Sequence, residues 1–185
     1  MTFYVGSNKI KDVGVHGVYV GSTPINAIYN GSQKIYQYRP YAYGTVLLYG
    51  SNTGLKTYTL QKGLYQCCVV GGGIGGSWWS RAGGAAAEIQ FRLTSTTTVE
   101  VYSGGNGEAG YLNIAGAGIV TANGSTEQMT GGKYTINTGS SYYVKTVYAQ
   151  NGKGANMSIA ASVSPYENWG GGNDAGGARL AYVGL

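Results

Sequence analysis

Hydrophobic and polar residues alternate with a period of two along most of the chain after residue 40. The clearest run alternates four apolar with four polar residues: Ala87, Ile89, Phe91 and Leu93 against Glu88, Gln90, Arg92 and Thr94. Successive side chains of a strand point to opposite faces, so this alternation predicts strands with one face in a core. Further strands are predicted at 45–49, 56–60, 64–70, 99–101, 133–137, 142–149, 157–163 and 178–183.

Glycine clusters separate these runs, and no segment predicts a helix. The alanine-rich stretch 82–87 is interrupted by Gly83 and Gly84 and leads directly into an alternating strand. About eight to ten short strands with turn signals between them favour an all-β fold of the sandwich type, jelly-roll-like in its layering. The short glycine runs add the expectation of short polyglycine segments at the edges of that sandwich.

The first forty residues contain a different pattern, a repeat of the form Tyr-x-Gly-Ser-x-x-Ile at 4–10, 19–25 and 29–35. Each copy predicts a short strand, a glycine turn and another short strand. Because hairpins of this size are not stable alone, they must pack on one another, on the rest of the chain or on another copy. We therefore expect an attachment module at 1–40 and a glycine-rich domain at 41–185, with assembly contacts from five tyrosines of the module: Tyr4, Tyr19, Tyr29, Tyr36 and Tyr38.

Composition narrows the class of protein further. The 185 residues include 34 glycines and are 43% hydrophobic, 12% aromatic and 10% charged, which excludes a disordered chain. Three prolines and the lack of a three-residue period exclude collagen. The net charge of +5 is spread without a Lys/Arg run, so no nucleic acid is expected as a partner.

The start of the chain predicts where the protein is made. It has no basic start followed by an apolar core, and no apolar run reaches membrane-spanning length. We therefore expect synthesis in a cytosol, no signal peptide and no membrane insertion. The adjacent Cys67 and Cys68 are expected to be reduced, because a disulfide between neighbours would be strained.

The sequence contains few residues that could catalyse a reaction. His16 is the only histidine, so one chain offers neither a Ser-His-acid triad nor a multi-histidine metal site. The run at 71–76 matches a dinucleotide fingerprint, but the residues after it make a poor helix, and that helix is what would bind the pyrophosphate. Glu167 and Asp174, around Trp169, are the nearest approach to a catalytic carboxylate pair. We predict a non-enzymatic protein with no cofactor and no metal.

Two aromatic clusters framed by glycines are candidates for recognition. Their Trp, Tyr, Arg and Asn side chains are of the types that antibody loops and binding hot spots use. The candidate receptor-binding residues are Trp78, Trp79, Arg81, Tyr166, Asn168, Trp169 and Asn173. The alternative is structural, with these rings covering the glycine-rich core or packing between subunits.

The run from Lys56 to Gly73, KTYTLQKGLYQCCVVGGG, resembles the glycine-rich domains of bacteriophage tail fibres and tail-tip adhesins. In these proteins a strand ending in Val-Val leads into polyglycine, the glycine runs can pack as extended helices, and the connecting loops bind the host receptor. The Tyr-x-Gly-Ser repeats are similar to short modules of phage structural proteins. The glycine runs of this chain are shorter, which favours a sandwich with glycine-rich edges over a full polyglycine lattice.

The resemblance implies a virion component made in the host cytosol. The leading expectation is a trimeric tail-fibre or fibre-tip protein that contacts a host surface glycan or outer-surface protein. Its other partners would be copies of itself and other virion proteins. The alternatives are a head fibre, capsid decoration or baseplate accessory without receptor binding, and, less favoured, a soluble bacterial lectin.

Overall fold

The fold is all-β, as the alternation predicts. A computed structural model describes residues 3–5, 8–10, 19–20, 23–24, 27–30, 32–37, 40–75, 81–126, 130–154, 164–166, 169–172 and 174–185. These residues form sixteen strands and contain no helix.

The repeat region contains three two-stranded antiparallel hairpins. Their strands are β1 (Phe3–Val5) with β2 (Asn8–Ile10), β3 (Tyr19–Val20) with β4 (Thr23–Pro24), and β5 (Ala27–Asn30) with β6 (Gln33–Gln37). Of the five tyrosines expected to serve assembly, the Tyr29 side chain is described and is exposed. The side chains of Tyr4, Tyr19, Tyr36 and Tyr38 lie outside the described part of the chain.

The remaining strands form two five-stranded antiparallel sheets. The first sheet has the order β15-β10-β9-β16-β7, and the second has the order β14-β13-β12-β11-β8. In chain order the strands are β7 (Val46–Ser51), β8 (Gly54–Leu60), β9 (Gly63–Val70), β10 (Ala86–Leu93), β11 (Thr97–Ser103), β12 (Gly110–Ile114), β13 (Ala117–Ala122), β14 (Tyr134–Ile136), β15 (Tyr143–Gln150) and β16 (Gly177–Gly184).

One hydrophobic core is shared by both sheets. Tyr65 and Phe91 of the first sheet stack at 5.5 Å between ring centroids, and both rings are fully buried. Val101 and Leu112 of the second sheet belong to the same cluster. The alternation in the sequence therefore identifies the inner faces correctly, since Ile89 and its apolar neighbours at every second position of β10 are buried there.

Two strands, β12 and β13, were not predicted from the pattern. They are short and are joined by Ala115 and Gly116, which both have positive φ, at 51° and 77°. Two positive φ values in succession are typical of a type I′ hairpin turn, which is usually signalled by Asn-Gly. Alanine at the first position conceals that signal. The predicted strand at 157–163 lies outside the described residues.

Beyond the sheets, the glycine runs form a bundle of short extended segments that pack backbone against backbone. We call it the glycine bundle; its segments are 71–74, 82–85, 104–108, 123–125, 131–133, 152–154, 170–172 and 174–176. Three successive amides in it, those of Gly71, Gly72 and Gly73, donate to carbonyls of three different segments, at Ala85, Glu108 and Asp174. The amides of Gly83, Gly84 and Ala85 do the same towards Lys153, Gly170 and Asn123.

This packing differs from that of a β-sheet, because three successive amides donate to three different segments. In a strand, backbone groups point alternately to two sides, whereas an extended helix with three residues per turn presents them in three directions. The glycine runs thus form a common hydrogen-bonded bundle, which is more extensive than the glycine-rich edges expected from their short lengths. The centre excludes side chains, because a Cβ on Gly72 would overlap the carbonyl oxygen of Gly105.

The bundle extends one end of the two sheets. Strands β9, β11, β13 and β15 run into it, and β10, β12, β14 and β16 run out of it. Segments 71–74 and 82–85 run side by side: Gly71 bonds to Ala85 close to the sheets, and Ile74 bonds to Ala82 farther from them. The connection between the two segments therefore starts and ends on the far side of the bundle, which is the side away from the sheets. Gly154 forms an isolated β-bridge with Ala82, so it also lies on the far side of the bundle.

Candidate functional site

The structure describes three of the seven candidate receptor-binding residues: Arg81, Tyr166 and Trp169. Trp78, Trp79, Asn168 and Asn173 lie outside the described residues. The three described residues do not form one site. Arg81 precedes the bundle segment 82–85, whereas Tyr166 and Trp169 lie on the outer face of the first sheet.

Arg81 is half-buried at the far end of the glycine bundle. Its neighbour Ala82 exchanges backbone hydrogen bonds with Ile74, at 2.8 and 3.1 Å. The Arg81 Nε atom is buried without a hydrogen-bond partner within the described part of the chain. This placement fixes the backbone of Arg81 beside the connection that carries the predicted tryptophan pair.

Trp169, one of the candidate receptor-binding residues, is buried. Its side chain is only 3% exposed and packs with Cys68, Val70 and Ala86 on the side of the sheet opposite the main core. The indole also covers the start of β16, where a Cβ on Gly177 would overlap the ring. Burial of the indole against apolar neighbours stabilises this position, which is the kind of packing that the structural alternative expects.

Tyr166 lies beside Trp169, with 6.2 Å between ring centroids, and closes a polar cluster over the same face. Its hydroxyl donates a hydrogen bond to Oε1 of Glu88, a carboxylate that is 3% exposed. The same oxygen accepts a bond from Gln66 Nε2 at 2.7 Å and lies 3.8 Å from the Arg179 guanidinium. The guanidinium is also 5.0 Å from the centre of the Tyr166 ring.

Burial is the main reason that the pKa of Tyr166 is raised above its usual value, and the hydrogen bond to Glu88 adds to the effect. The hydroxyl is therefore a stable donor at neutral pH. A buried carboxylate is costly unless it has partners, and here Tyr166, Gln66 and Arg179 all contact Oε1 of Glu88. The contacts of this cluster hold Tyr166 and Trp169 against the sheet, so its role is structural. We call it the Glu88 clamp.

The sequence places Glu88 on the polar face of an alternating strand, which normally indicates contact with water. Its partner Tyr166 is 78 positions away, and no local pattern reports a pairing of that separation. The one usable signal is the cluster of aromatics beside glycines at 166–177, because a glycine facing a strand surface leaves room for a ring.

A second polar cluster occurs in the bundle turn that joins β11 to β12. Oε2 of Glu108 accepts hydrogen bonds from the Tyr102 hydroxyl and the Gly105 amide, both at 2.8 Å. These bonds, that from Tyr102 first, lower the pKa of the Glu108 carboxyl. The Tyr102 ring stacks in turn on Tyr111, with 5.1 Å between centroids. The Glu108 carboxylate thus stabilises the conformation of this turn.

The two cysteines point to opposite faces of β9, Cys67 into the main core and Cys68 towards Trp169. Both are free thiols. Burial, followed by the charge of Glu88, raises the pKa of each thiol. Thiolates are the reactive form of cysteine, so neither residue has the properties of a nucleophile.

Comparison with known proteins adds no assignment: no family model, curated protein or solved structure matches the chain. Within the described residues, no three His, Cys, Asp or Glu side chains are grouped so that they could hold a metal ion. Those residues also include no helix with the length and hydrophobicity needed to cross a bilayer.

Proposed function

We propose that this protein is a non-enzymatic bacteriophage virion component, a tail-fibre or fibre-tip protein that contacts the host cell surface. The observation that carries the proposal is the glycine bundle. The resemblance of residues 56–73 to tail-tip adhesins implies extended glycine segments that carry receptor-binding loops, and the glycine runs of this chain do pack as extended segments at one end of the sheets.

The finer architecture that we propose is a β-sandwich. Its support is the main core, to which both sheets contribute. It is jelly-roll-like in having two antiparallel layers, but the connections differ, because β11 to β14 follow one another as a meander within one sheet. The repeat region at 1–40 is proposed as the attachment module, and the whole assembly as a homotrimer in the virion.

Receptor contact is proposed for the connections on the far side of the bundle. The candidate residues of the connection between segments 71–74 and 82–85 are Trp78, Trp79 and Arg81, and Asn168 and Asn173 of the second cluster remain candidates for the same contact. Tyr166 and Trp169 are now assigned as positioning residues, because their clamp to Glu88 and Gly177 fixes the chain that leads back into the bundle. The partner is a host surface glycan or outer-surface protein.

A second candidate function is a structural head fibre, capsid decoration or baseplate accessory without receptor binding. The observation that favours it is the burial of Trp169, because a buried ring packs against its neighbours and is not free to contact a receptor. Quantitative mass spectrometry of purified particles separates the two. A few copies per particle support a tail device, many copies support the capsid, and absence from the particle contradicts both.

The direct test of receptor contact compares Trp79→Ala with Tyr43→Ala. Tyr43 is a matched control, since it is an aromatic residue with 73% exposure just before β7, at the end of the sheets away from the bundle. Truncating a binding anchor costs about 2 kcal/mol, which weakens a one-site contact roughly thirtyfold. We expect adsorption to cells to weaken by this factor for Trp79→Ala and to stay unchanged for Tyr43→Ala. The melting temperatures of both variants should equal that of the wild type. Undiminished adsorption of the Trp79 variant would contradict the proposal.

A further inference from the structure

Two basic residues lie on neighbouring segments at the far side of the glycine bundle. Arg81 directly precedes Ala82, and Lys153 directly precedes Gly154. Ala82 and Gly154 form an antiparallel bridge, and the Gly83 amide donates to the Lys153 carbonyl at 2.9 Å. Arg81 and Lys153 therefore occupy diagonal positions on paired segments, and such positions are about 7–8 Å apart in antiparallel pairs. Both side chains are long enough to reach one group between them.

Hydrogen bonds hold the backbone from which both side chains extend. Ala82 exchanges bonds with Ile74 on the side opposite its bridge. The segment that carries Lys153 is held as well, because the Gly152 amide donates to the Gly132 carbonyl at 2.8 Å. A site on a fixed backbone loses little conformational freedom when a ligand binds.

Neither basic side chain has an acidic partner in the part of the chain that the structure describes. The ion pair found there joins Arg179 to Glu88, on the outer face of the first sheet. Lys153 is exposed, and the buried Nε of Arg81 donates to no acceptor among the described residues. A buried N–H without an acceptor is costly, so a ligand that supplies the acceptor gains affinity.

The acidic residues of the bundle lie in other directions. Within its described segments these residues are Glu108 and Asp174. Segment 71–74 donates to segment 82–85, to Glu108 and to Asp174 through three successive amides, so the three partners surround it on different sides. The Glu108 carboxylate is moreover bound within its own turn. The electrostatic field beside segment 82–85 therefore favours a negatively charged ligand.

We propose that Arg81 and Lys153 together bind an anionic group, a carboxylate or a phosphate, on the far side of the bundle. A guanidinium binds such a group through two parallel N–H bonds, and a small rotation of the half-buried side chain brings Nε into that pair. The lysine ammonium adds a point charge from the neighbouring segment. Assignment of the anionic group to a host surface polymer rests on the proposed function, whereas the anion site rests on the two basic residues alone.

The first experiment measures binding of the full-length protein to three immobilised polymers. Polygalacturonate presents carboxylates, polyglycerol phosphate presents phosphates, and dextran is the neutral control. We expect binding to at least one anionic polymer, weaker as the salt concentration rises, and none to dextran. The polymer that binds identifies the anionic group. Equal binding to dextran, or binding to none of the three, would overturn the site.

The second experiment removes each charge separately, with Arg81→Gln and Lys153→Gln. Lys62→Gln is the matched control, because Lys62 is an exposed lysine in the turn before β9, at the end of the sheets away from the bundle. Loss of a charge-assisted bond should weaken binding about tenfold or more in both test variants, and the control should bind as the wild type does. A test variant that matches the control would contradict the proposal. If Arg81→Gln melts below the control, the Lys153 variant decides.

Adsorption to cells is measured separately with the same proteins. A wild type that adsorbs to cells but binds neither anionic polymer contradicts the anion site and leaves the proposed function intact. Binding to a polymer that depends on Arg81 and Lys153, without adsorption to any cell, supports the site and contradicts receptor contact. The two proposals can therefore fail independently.

Discussion

At the scale of single residues, glycine acts here by leaving space for other backbones. Gly72 lies where three segments meet, and its missing Cβ lets the Gly105 carbonyl approach. Many glycines have open surroundings, and their role is different. Gly118 has only the Asn113 side-chain oxygen near its Cβ position, at 3.7 Å. The effect of a methyl group should therefore differ sharply between the two.

We predict that Gly72→Ala destabilises the protein and that Gly118→Ala does not. The obstructing atom at Gly72 is backbone, which cannot rotate away, and overpacking of this kind costs about 1–3 kcal/mol. A cost of 1 kcal/mol lowers the melting temperature of a chain of this size by about 2–4 °C. Thermal melts followed by circular dichroism measure the difference. Equal melting temperatures for the two variants would show that the bundle tolerates side chains.

A second residue-scale prediction concerns Glu108. Its folded pKa is lowered, so it stabilises the fold at pH values above the usual carboxyl pKa, and this contribution disappears as the pH falls through the folded pKa. The largest cause is the Tyr102 hydroxyl. In Tyr102→Phe the pKa of the carboxyl should therefore rise towards the usual value of a glutamate side chain.

The measurement is the carboxyl carbon shift of Glu108 as a function of pH, in the wild type and in Tyr102→Phe. Tyr111→Phe is the control, because that ring stacks on Tyr102 but its hydroxyl is not among the bonds that lower the Glu108 pKa. A midpoint that stays unchanged in the Tyr102 variant would contradict the assigned cause.

At the scale of elements, β9 shows how one strand serves two packing layers. Tyr65 and Cys67 point into the main core, and Cys68 and Val70 point to the layer under Trp169. This explains why the end of the strand reads as a continuous apolar run instead of an alternation. The second layer is small, and Trp169 is its largest member.

We predict that Trp169→Ala lowers the stability of the protein by about 3–5 kcal/mol, the usual cost of emptying a buried aromatic site. Tyr43→Ala removes an aromatic ring from an exposed position and should leave the melting temperature unchanged. Chemical denaturation with both variants measures the two effects. An unchanged midpoint for the Trp169 variant would mean that the ring does not contribute to folding.

Some strands can be predicted from the sequence and others cannot. The alternation predicts β10 and β11 because their apolar residues recur at every second position, but β12 and β13 are not predicted because Ala115 conceals the turn between them. The candidate site is harder to predict. Glu88 and Tyr166 meet only through the fold, so periodicity cannot report that the carboxylate is buried or that Trp169 is covered. Glycine density, by contrast, indicates close backbone approach without indicating which segments meet.

At the scale of the whole molecule, the repeat region and the two sheets are predicted to fold independently. The three hairpins form separate small sheets, and the five-stranded sheets are complete from β7 onward. Deleting residues 1–38 should therefore leave the melting temperature of the remainder unchanged while abolishing incorporation into particles. A truncated protein that is still incorporated would contradict the attachment role, and one that fails to fold would contradict the domain boundary.

The glycine bundle also has a calorimetric consequence. Unfolding it exposes peptide groups and almost no hydrocarbon, and polar exposure lowers the heat capacity whereas apolar exposure raises it. The heat-capacity increment of unfolding should therefore fall below the usual figure of about 12–15 cal/mol/K per residue. A smaller increment flattens the dependence of stability on temperature. The same backbone packing that holds the far end of the molecule together would thus keep it folded over a broad range of temperatures, including in the cold.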